Sequence, residues 1–299
     1  MLRESFDYVD YLEMKRSVDD NSLNKEVWNA MATWMNTQQK NHTSLRILEI
    51  GAGIGTMIER LLDHNLLCLC EYTAVELESG FRDVAMQRLR HWAHDHACDF
   101  QQVTSSTWLL SGKQSKITVN WIQGDALQMA HQTLPDSFDL LIGHAVIDLL
   151  PVPACMPDLL ARLTREGACY FSLNYAGETL FLPAVPGDIQ IFEAYNNDMD
   201  KRFPTLDWQP SQTGNLLGPW LEKQGHRVIA EGASNWELHA KPAFTTNLFI
   251  ANILDTIETA LATLPGLTEW LTIRRHQLQN SQLTFRASNR DCFCLVSKD

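Results

Sequence analysis

The 299-residue chain has no uninterrupted apolar run near the roughly eighteen residues of a membrane span. Its first residues, M-L-R-E-S-F-D-Y, lack the apolar core of a signal peptide, which predicts a cytoplasmic protein with no membrane partner. No basic run exceeds Arg274–Arg275, and the net charge is −12. Nucleic-acid surfaces present a basic stripe, so neither DNA nor RNA is an expected partner. The seven cysteines include no C-x-x-C pair. Cys68/Cys70 and Cys292/Cys294 are C-x-C pairs in strand-like runs, where alternate residues share a face. They are expected to be reduced, buried and free of metal. No repeat or low-complexity linker divides the chain. With 45% apolar and 20% charged residues, one elaborated domain with a substantial core is expected.

What the sequence does contain is concentrated in R-I-L-E-I-G-A-G-I-G-T, residues 46–56. A short apolar run leads into Gly51, Gly53 and Gly55, and a helical pattern follows with Met57, Ile58, Leu61 and Leu62 on one face. Strand, glycine turn and helix together open a nucleotide-binding α/β unit, in which backbone approaches a ligand closely. The dinucleotide fingerprint G-x-G-x-x-G needs its third glycine five residues after the first, and Thr56 holds that place. The run here is G-x-G-x-G, preceded by an acid, Glu49.

Further strand signals are E-Y-T-A-V-E-L-E, I-T-V-N-W-I, F-D-L-L-I-G and G-A-C-Y-F-S-L-N, separated by helical stretches, as parallel neighbours require. Residues 99–116 carry no clear period and read as an irregular insertion. Asp19, Asp20, Asn21 and Ser22 offer N-caps for a helix bearing Leu23, Val27, Trp28, Met31, Trp34 and Met35. The tail holds a helix around 214–224, a strand around 226–231, helices around 245–263 and 266–279, and a last strand at 292–297.

The acid-led glycine triplet, with Glu76 ending the second strand and Asp125 in G-D-A-L after the third, resembles the class I S-adenosylmethionine-dependent methyltransferases of small-molecule type. The resemblance implies a mainly parallel seven-stranded sheet flanked by helices, closed by an antiparallel last strand. It also implies S-adenosylmethionine as cofactor and S-adenosylhomocysteine as product. The implied cofactor residues are Glu49, Gly51, Ala52, Gly53 and Gly55 in the loop, and Glu76 with Leu77 at the ribose. Gly124, Asp125 and Ala126 would meet the adenine, with Gly143 and His144 at the sulfur. Glu78 competes with Glu76 but has a sufficient role as a helix-start acid.

The segments around the motifs give an expected layout of N-terminal helical cap (1–44), cofactor core (45–175), lid (176–212), read from the length of that connection, and remainder of the sheet (213–299) with a helical insertion at 240–281. The lid holds Phe181, Phe192, Tyr195, Phe203 and Trp208, either a substrate wall or a small core of its own. Tyr11, Tyr195 and Trp236 are the candidate substrate contacts, and Tyr8 and Leu12 could join Tyr11 in folding over the ligand. His144 is the candidate general base, since imidazole titrates near neutrality, with Asp148 the next candidate. The expected reaction is methyl transfer to a small molecule. Another transferase or lyase using the same cofactor, or a non-catalytic binding protein, would share the motifs. Acceptor and oligomeric state are not legible.

Overall fold

The computed structural model describes residues 8–40, 44–113, 115–132, 134–241 and 244–298. Strand β1 (Leu45–Ile50) occupies the middle of the sheet because both its faces are apolar. Leu45 and Ile47 join one core layer, and Leu48 and Ile50 the other. A strand buried on both sides belongs in a parallel sheet covered by helices. On one side β1 pairs in parallel with β2 (Leu69–Glu76), and β2 with β5 (Lys116–Gln123). On the other side β1 pairs with β6 (Phe138–His144), and β6 with β7 (Leu163–Leu182). Chain connections therefore leave β1 in opposite directions, and the carboxyl ends of β1, β2, β5 and β6 surround the crevice where open α/β sheets bind ligands.

Antiparallel β10 (Thr284–Leu295) follows β7, and β8 (Arg227–Ala233) follows β10. These seven strands are the expected sheet, and three more extend it. Residues 99–116 are not irregular. They contain β3 (Asp99–Gln102) and β4 (Thr107–Ser111), a hairpin laid antiparallel on the edge of β5. Trp108 and Leu110 turn inward, joined by partly buried Phe100 opposite Leu110, too short an alternation to stand out in the sequence. The third addition is β9 (Trp236–His239), which pairs with β10.

Helices α3 (Thr56–Asp63) and α4 (Phe81–Asp95) cover one face of the sheet. On the other lie α5 (Ala126–Gln132), α6 (Val152–Ala161) and α8 (Thr213–Lys223). The amino-terminal segment forms two helices, α1 (Tyr8–Ser22) and α2 (Lys25–Lys40). The expected caps Asp19 to Ser22 form the last turn of α1 instead. Asn24 caps α2, its Oδ1 accepting from the amides of Glu26 and Val27, both at 3.1 Å.

Residues 176–212 differ from the expected lid. Strand β7 continues to Leu182, opposite Thr284 of β10, and only then gives way to α7 (Asp188–Asp200). Its register with β10 shifts at two places, near Leu173 (φ +56°) and Gly177 (φ +89°). A Cβ at Gly177 would lie 2.0 Å from Gln212 Nε2, so the bend there needs glycine. The far ends of β7, β10 and β9 form a ribbon on which α7, α9 (Phe244–Ala260) and α10 (Leu267–Gln279) pack. Phe181, Phe249, Trp270 and Phe285 are buried together there, with Phe192 and Tyr195 at the margin. The two predicted insertions share one core and make one cap. Trp208 belongs to the layer beneath the sheet. Among the cysteines, Cys70, Cys292 and Cys294 are buried as expected, whereas Cys68 precedes β2 and is exposed.

Candidate active site

Three glycines turn the chain from β1 into α3, and all three have left-handed backbones: Gly51 at φ +63°, Gly53 at +54° and Gly55 at +78°. At Gly51 a Cβ would also sit 2.6 Å from Val146 Cγ2, so any side chain there meets both strain and overlap. Ala52 donates its amide to Val75 O (3.1 Å), tying the loop to the end of β2. Glu76 completes that tie: Oε2 accepts from the Gly53 amide at 2.7 Å and Oε1 from the Glu78 amide at 2.9 Å. Its side chain is buried, while Glu78 and Leu77 beside it are exposed. The Glu76 carbonyl accepts from the Gly124 amide (2.8 Å), joining the tips of β2 and β5. Asp125 caps α5, with Oδ1 accepting from the Leu127 amide at 2.7 Å, and Ala126 begins that helix.

Glu76 to alanine is accordingly expected to weaken S-adenosylhomocysteine binding tenfold to a hundredfold by calorimetry. Each lost bond to a charged acceptor is worth about 1.5–3 kcal/mol, and the glycine loop loses its anchor as well. Glu78 to alanine should change affinity less than twofold. The opposite ranking would mean that the ribose acid has been misassigned.

Glu49 turns away from the loop into the layer of α2 and α3, where Tyr72 Oη donates to its Oε2 at 2.8 Å. Burial pushes its carboxyl up to about 8, against smaller opposing effects of Tyr72 and Arg60. A carboxyl raised in the folded state stabilises fully below its unfolded value of about 4.3, and that contribution is lost as pH rises through the folded value. Glu49 to glutamine should flatten the decline in stability between about pH 5 and 8, and by pH 9 it should be the more stable protein. Chemical denaturation across that range is the check, and parallel curves would sink the assignment.

Gly143 and His144 end β6. His144 is nearly buried and both ring nitrogens are engaged: Nδ1 lies 2.7 Å from Ser172 Oγ and Nε2 lies 3.0 Å from Asp19 Oδ2. Burial, then the charge of Arg60, lower its imidazole to about 4. Asp148 follows in a short 3-10 turn, Ile147–Leu149, and is half-buried. Burial pushes its carboxyl up to about 6, with Arg202 and Lys15 acting the other way. Tyr195 on α7 feels the charges of Arg202 and Asp148, which places all three in one region. Tyr11 stacks on Phe249 (5.3 Å between centroids, 17°) and Trp236 meets the same ring edge-on at 5.5 Å. Both therefore serve the cap core, while the Trp236 Nε1 donates to Asp19 Oδ1 at 3.1 Å.

Helix α1 passes over the glycine loop, with Leu12 Cδ1 3.8 Å from where a Gly53 Cβ would lie. Ion pairs bind it to α3 and α4: Arg16 with Glu59 and with Asp63 (2.7 Å), Asp20 with Arg60 (2.5 Å), Glu13 with Arg88 (3.1 Å). The expectation that this segment covers the loop rested on Tyr8, Tyr11 and Leu12. The charged residues that hold it were missed, although Lys15/Asp19 and Arg16/Asp20 show the four-residue spacing of helical ion pairs.

The strand order, with a glycine loop at the switch point and acids at the tips of β2 and β5, defines a class I S-adenosylmethionine-dependent methyltransferase. The sequence model of a family described as "Putative S-adenosyl-L-methionine-dependent methyltransferase" matches residues 28–217, and the chain belongs to that family. Its cofactor is S-adenosylmethionine. No curated protein sequence matches the chain. Among solved structures it is similar to one titled a "putative methyltransferase" from Bacillus halodurans C-125. That match has 14% identity, covers 85% of this chain and 94% of that one, and has a TM-score of 0.48. It is also similar to an S-adenosylmethionine-dependent methyltransferase from Geobacter sulfurreducens, solved with S-adenosylhomocysteine. There the identity is 12%, 93% of each chain is covered, and the TM-score is 0.43. Among the described residues no helix is long and apolar enough to cross a membrane.

Proposed function

We propose that the methyl acceptor is a small molecule with an ionisable O–H or N–H, bound between the tips of β6 and β7 and the cap. The observation that carries this is Asp148, half-buried in the turn after β6, with the charges of Lys15 on α1 and Arg202 just after α7 acting on it. Helix α1 lies against the glycine loop, so the space beside the sulfur is bounded by the N-terminal helix and the cap. The net charge of −12 suits neither a nucleic-acid acceptor nor an acidic macromolecule.

The sulfonium is already activated, so the protein's task is alignment and exclusion of water. The acceptor heteroatom attacks the methyl carbon, the C–S bond breaks, and sulfur keeps the electron pair. The acceptor's proton passes to Asp148, whose carboxylate is raised toward the working pH and stands one turn beyond Gly143. His144 was the first candidate for this step, but with both nitrogens hydrogen-bonded it is better suited to form the floor beside the sulfur. Gly51, Ala52, Gly53, Gly55, Glu76, Leu77, Gly124, Asp125 and Ala126 serve the cofactor in this reading, whereas Glu49, bonded to Tyr72 beneath the loop, supports it from below. Tyr195 faces the acceptor, with Tyr11 and Trp236 behind it.

Incubation with methyl-labelled S-adenosylmethionine and a metabolite extract tests the reading. Label should appear in a small-molecule product together with S-adenosylhomocysteine. Label found only in protein or nucleic acid would overturn the acceptor class, and cofactor turned over without methyl transfer would favour a transferase or lyase of another kind.

A further inference from the structure

Asp19 is a buried carboxylate beside the cofactor loop whose four-residue spacing from Lys15 is the one mark of its role in the sequence. It lies in the last turn of α1 at 2% exposure. Its Oδ2 accepts from Lys15 Nζ at 2.5 Å and from His144 Nε2 at 3.0 Å, and its Oδ1 accepts from Trp236 Nε1 at 3.1 Å. Three donors thus come from three places: the same helix, the tip of β6, and the start of β9 at the cap. Lys15 Nζ also lies over the Trp236 ring, 5.2 Å from its centroid. A buried carboxylate is tolerated only when paired and hydrogen-bonded in this way.

The pattern dictates the state of His144. A carboxylate only accepts, so the proton must sit on Nε2. Nδ1 then carries the lone pair and accepts from the Ser172 hydroxyl at 2.7 Å. Burial disfavours the imidazolium, so the ring is one neutral tautomer with both nitrogens engaged. That suits its place, because the end of β6 is where the cofactor's positively charged sulfur lies, and an imidazolium there would oppose it.

We propose that Asp19 is a positioning residue that fixes His144 as its neutral Nε2–H tautomer and couples that ring to α1, the helix over the glycine loop. The inference rests on the reading above only in taking the end of β6 as the sulfur's position. It makes α1 more than a cover. The same carboxylate that orients the floor of the methyl site also closes the helix, so a misplaced ring and a loosened helix go together.

Two other anchors allow the idea to be separated from a general loss of packing. Arg16 holds α1 to Glu59 and Asp63 on α3 without touching His144. The test compares the unmutated protein with Asp19→Ala, Asp19→Asn and Arg16→Ala. Long-range 15N–1H spectra read the His144 ring in the free protein, the signal being assigned by its loss in His144→Gln. S-adenosylhomocysteine affinity is read by calorimetry. The unmutated protein should show the Nε2–H pattern. Asp19→Ala should show mixed tautomers or a ring that titrates, with affinity at least tenfold weaker. Arg16→Ala should keep the tautomer whatever it does to affinity. If Asp19→Ala fails to fold cooperatively, the isosteric Asp19→Asn takes its place with the same two expectations.

An Nδ1–H or charged ring in the unmutated protein overturns the proposal. So does either readout staying within twofold of normal in the folded Asp19 variant, or an equal loss of the tautomer in Arg16→Ala. Failure of the unmutated protein to bind S-adenosylhomocysteine would instead count against the cofactor site, because the tautomer is read without ligand.

Discussion

Asp148→Asn is expected to lower turnover by about two to four orders of magnitude while leaving S-adenosylmethionine affinity within a few-fold of normal. In the role proposed for Asp148 the carboxylate form is the active one, so the rate of the unmutated enzyme should climb with pH through about 6 and level off above. The asparagine variant keeps the shape but has nothing to ionise, and the acid limb should vanish. His144→Ala, measured at saturating cofactor, should lose less than tenfold in turnover and should bind the cofactor more weakly. A large loss in His144→Ala, with disappearance of an ionisation near neutrality, would return the base to the histidine. A rate that is flat in both variants would mean that the acceptor is a thiolate or neutral amine needing no base.

Arg274→Met is expected to destabilise the protein by about 3–5 kcal/mol, the usual cost of breaking a buried charge pair from one side. Arg274 has no exposed surface, yet it carries a full charge into the cap. It donates to Asp188, to Pro183 O at 2.7 Å, to Phe181 O at 3.3 Å and to Gln277 Oε1 at 2.8 Å. Its guanidinium also lies over Phe181 and Trp270, 5.5 and 5.4 Å from the ring centroids. Methionine retains the stem and leaves the Asp188 carboxylate with only Trp270 Nε1 (2.7 Å) and the Val185 amide (2.9 Å). Adding Asp188→Asn should recover a good part of the loss, because the uncompensated charge is then gone. Denaturant unfolding gives the answer. A loss below 1 kcal/mol would mean that the aromatic cluster, not the ion pair, organises the cap.

The parts legible in the sequence were those set by local pattern. The run R-I-L-E-I-G-A-G-I-G-T announces a doubly buried strand, a left-handed turn and a helix within eleven residues, and each follows from the residue types themselves. Glu76 and Asp125 were found because strand ends are marked by the turn that follows. What stayed hidden depends on distant partners. Asp19 reads as a helix cap, and its actual donors His144 and Trp236 are 125 and 217 residues away. Arg274–Arg275 stands in the sequence simply as a short basic run. One helical step separates a fully buried arginine from one that meets Asp255 and Glu258 at the surface. The aromatics of 176–212 could not reveal whether they lined a pocket or filled a core, since their neighbours Phe249 and Phe285 arrive much later in the chain.

The twelve residues of β10 run from the cap ribbon into the sheet as one strand of about 40 Å, its ladder with β7 shifting register at two places. That strand ties the cap directly to the sheet. Helix α1 joins the cap through Tyr11 on Phe249, whereas its grip on α3 and α4 is made of ion pairs. Those attachments weaken as the Debye length shrinks, while the apolar seam of the cap does not. Release of S-adenosylhomocysteine should therefore quicken with added salt, and release rates measured across ionic strengths check it.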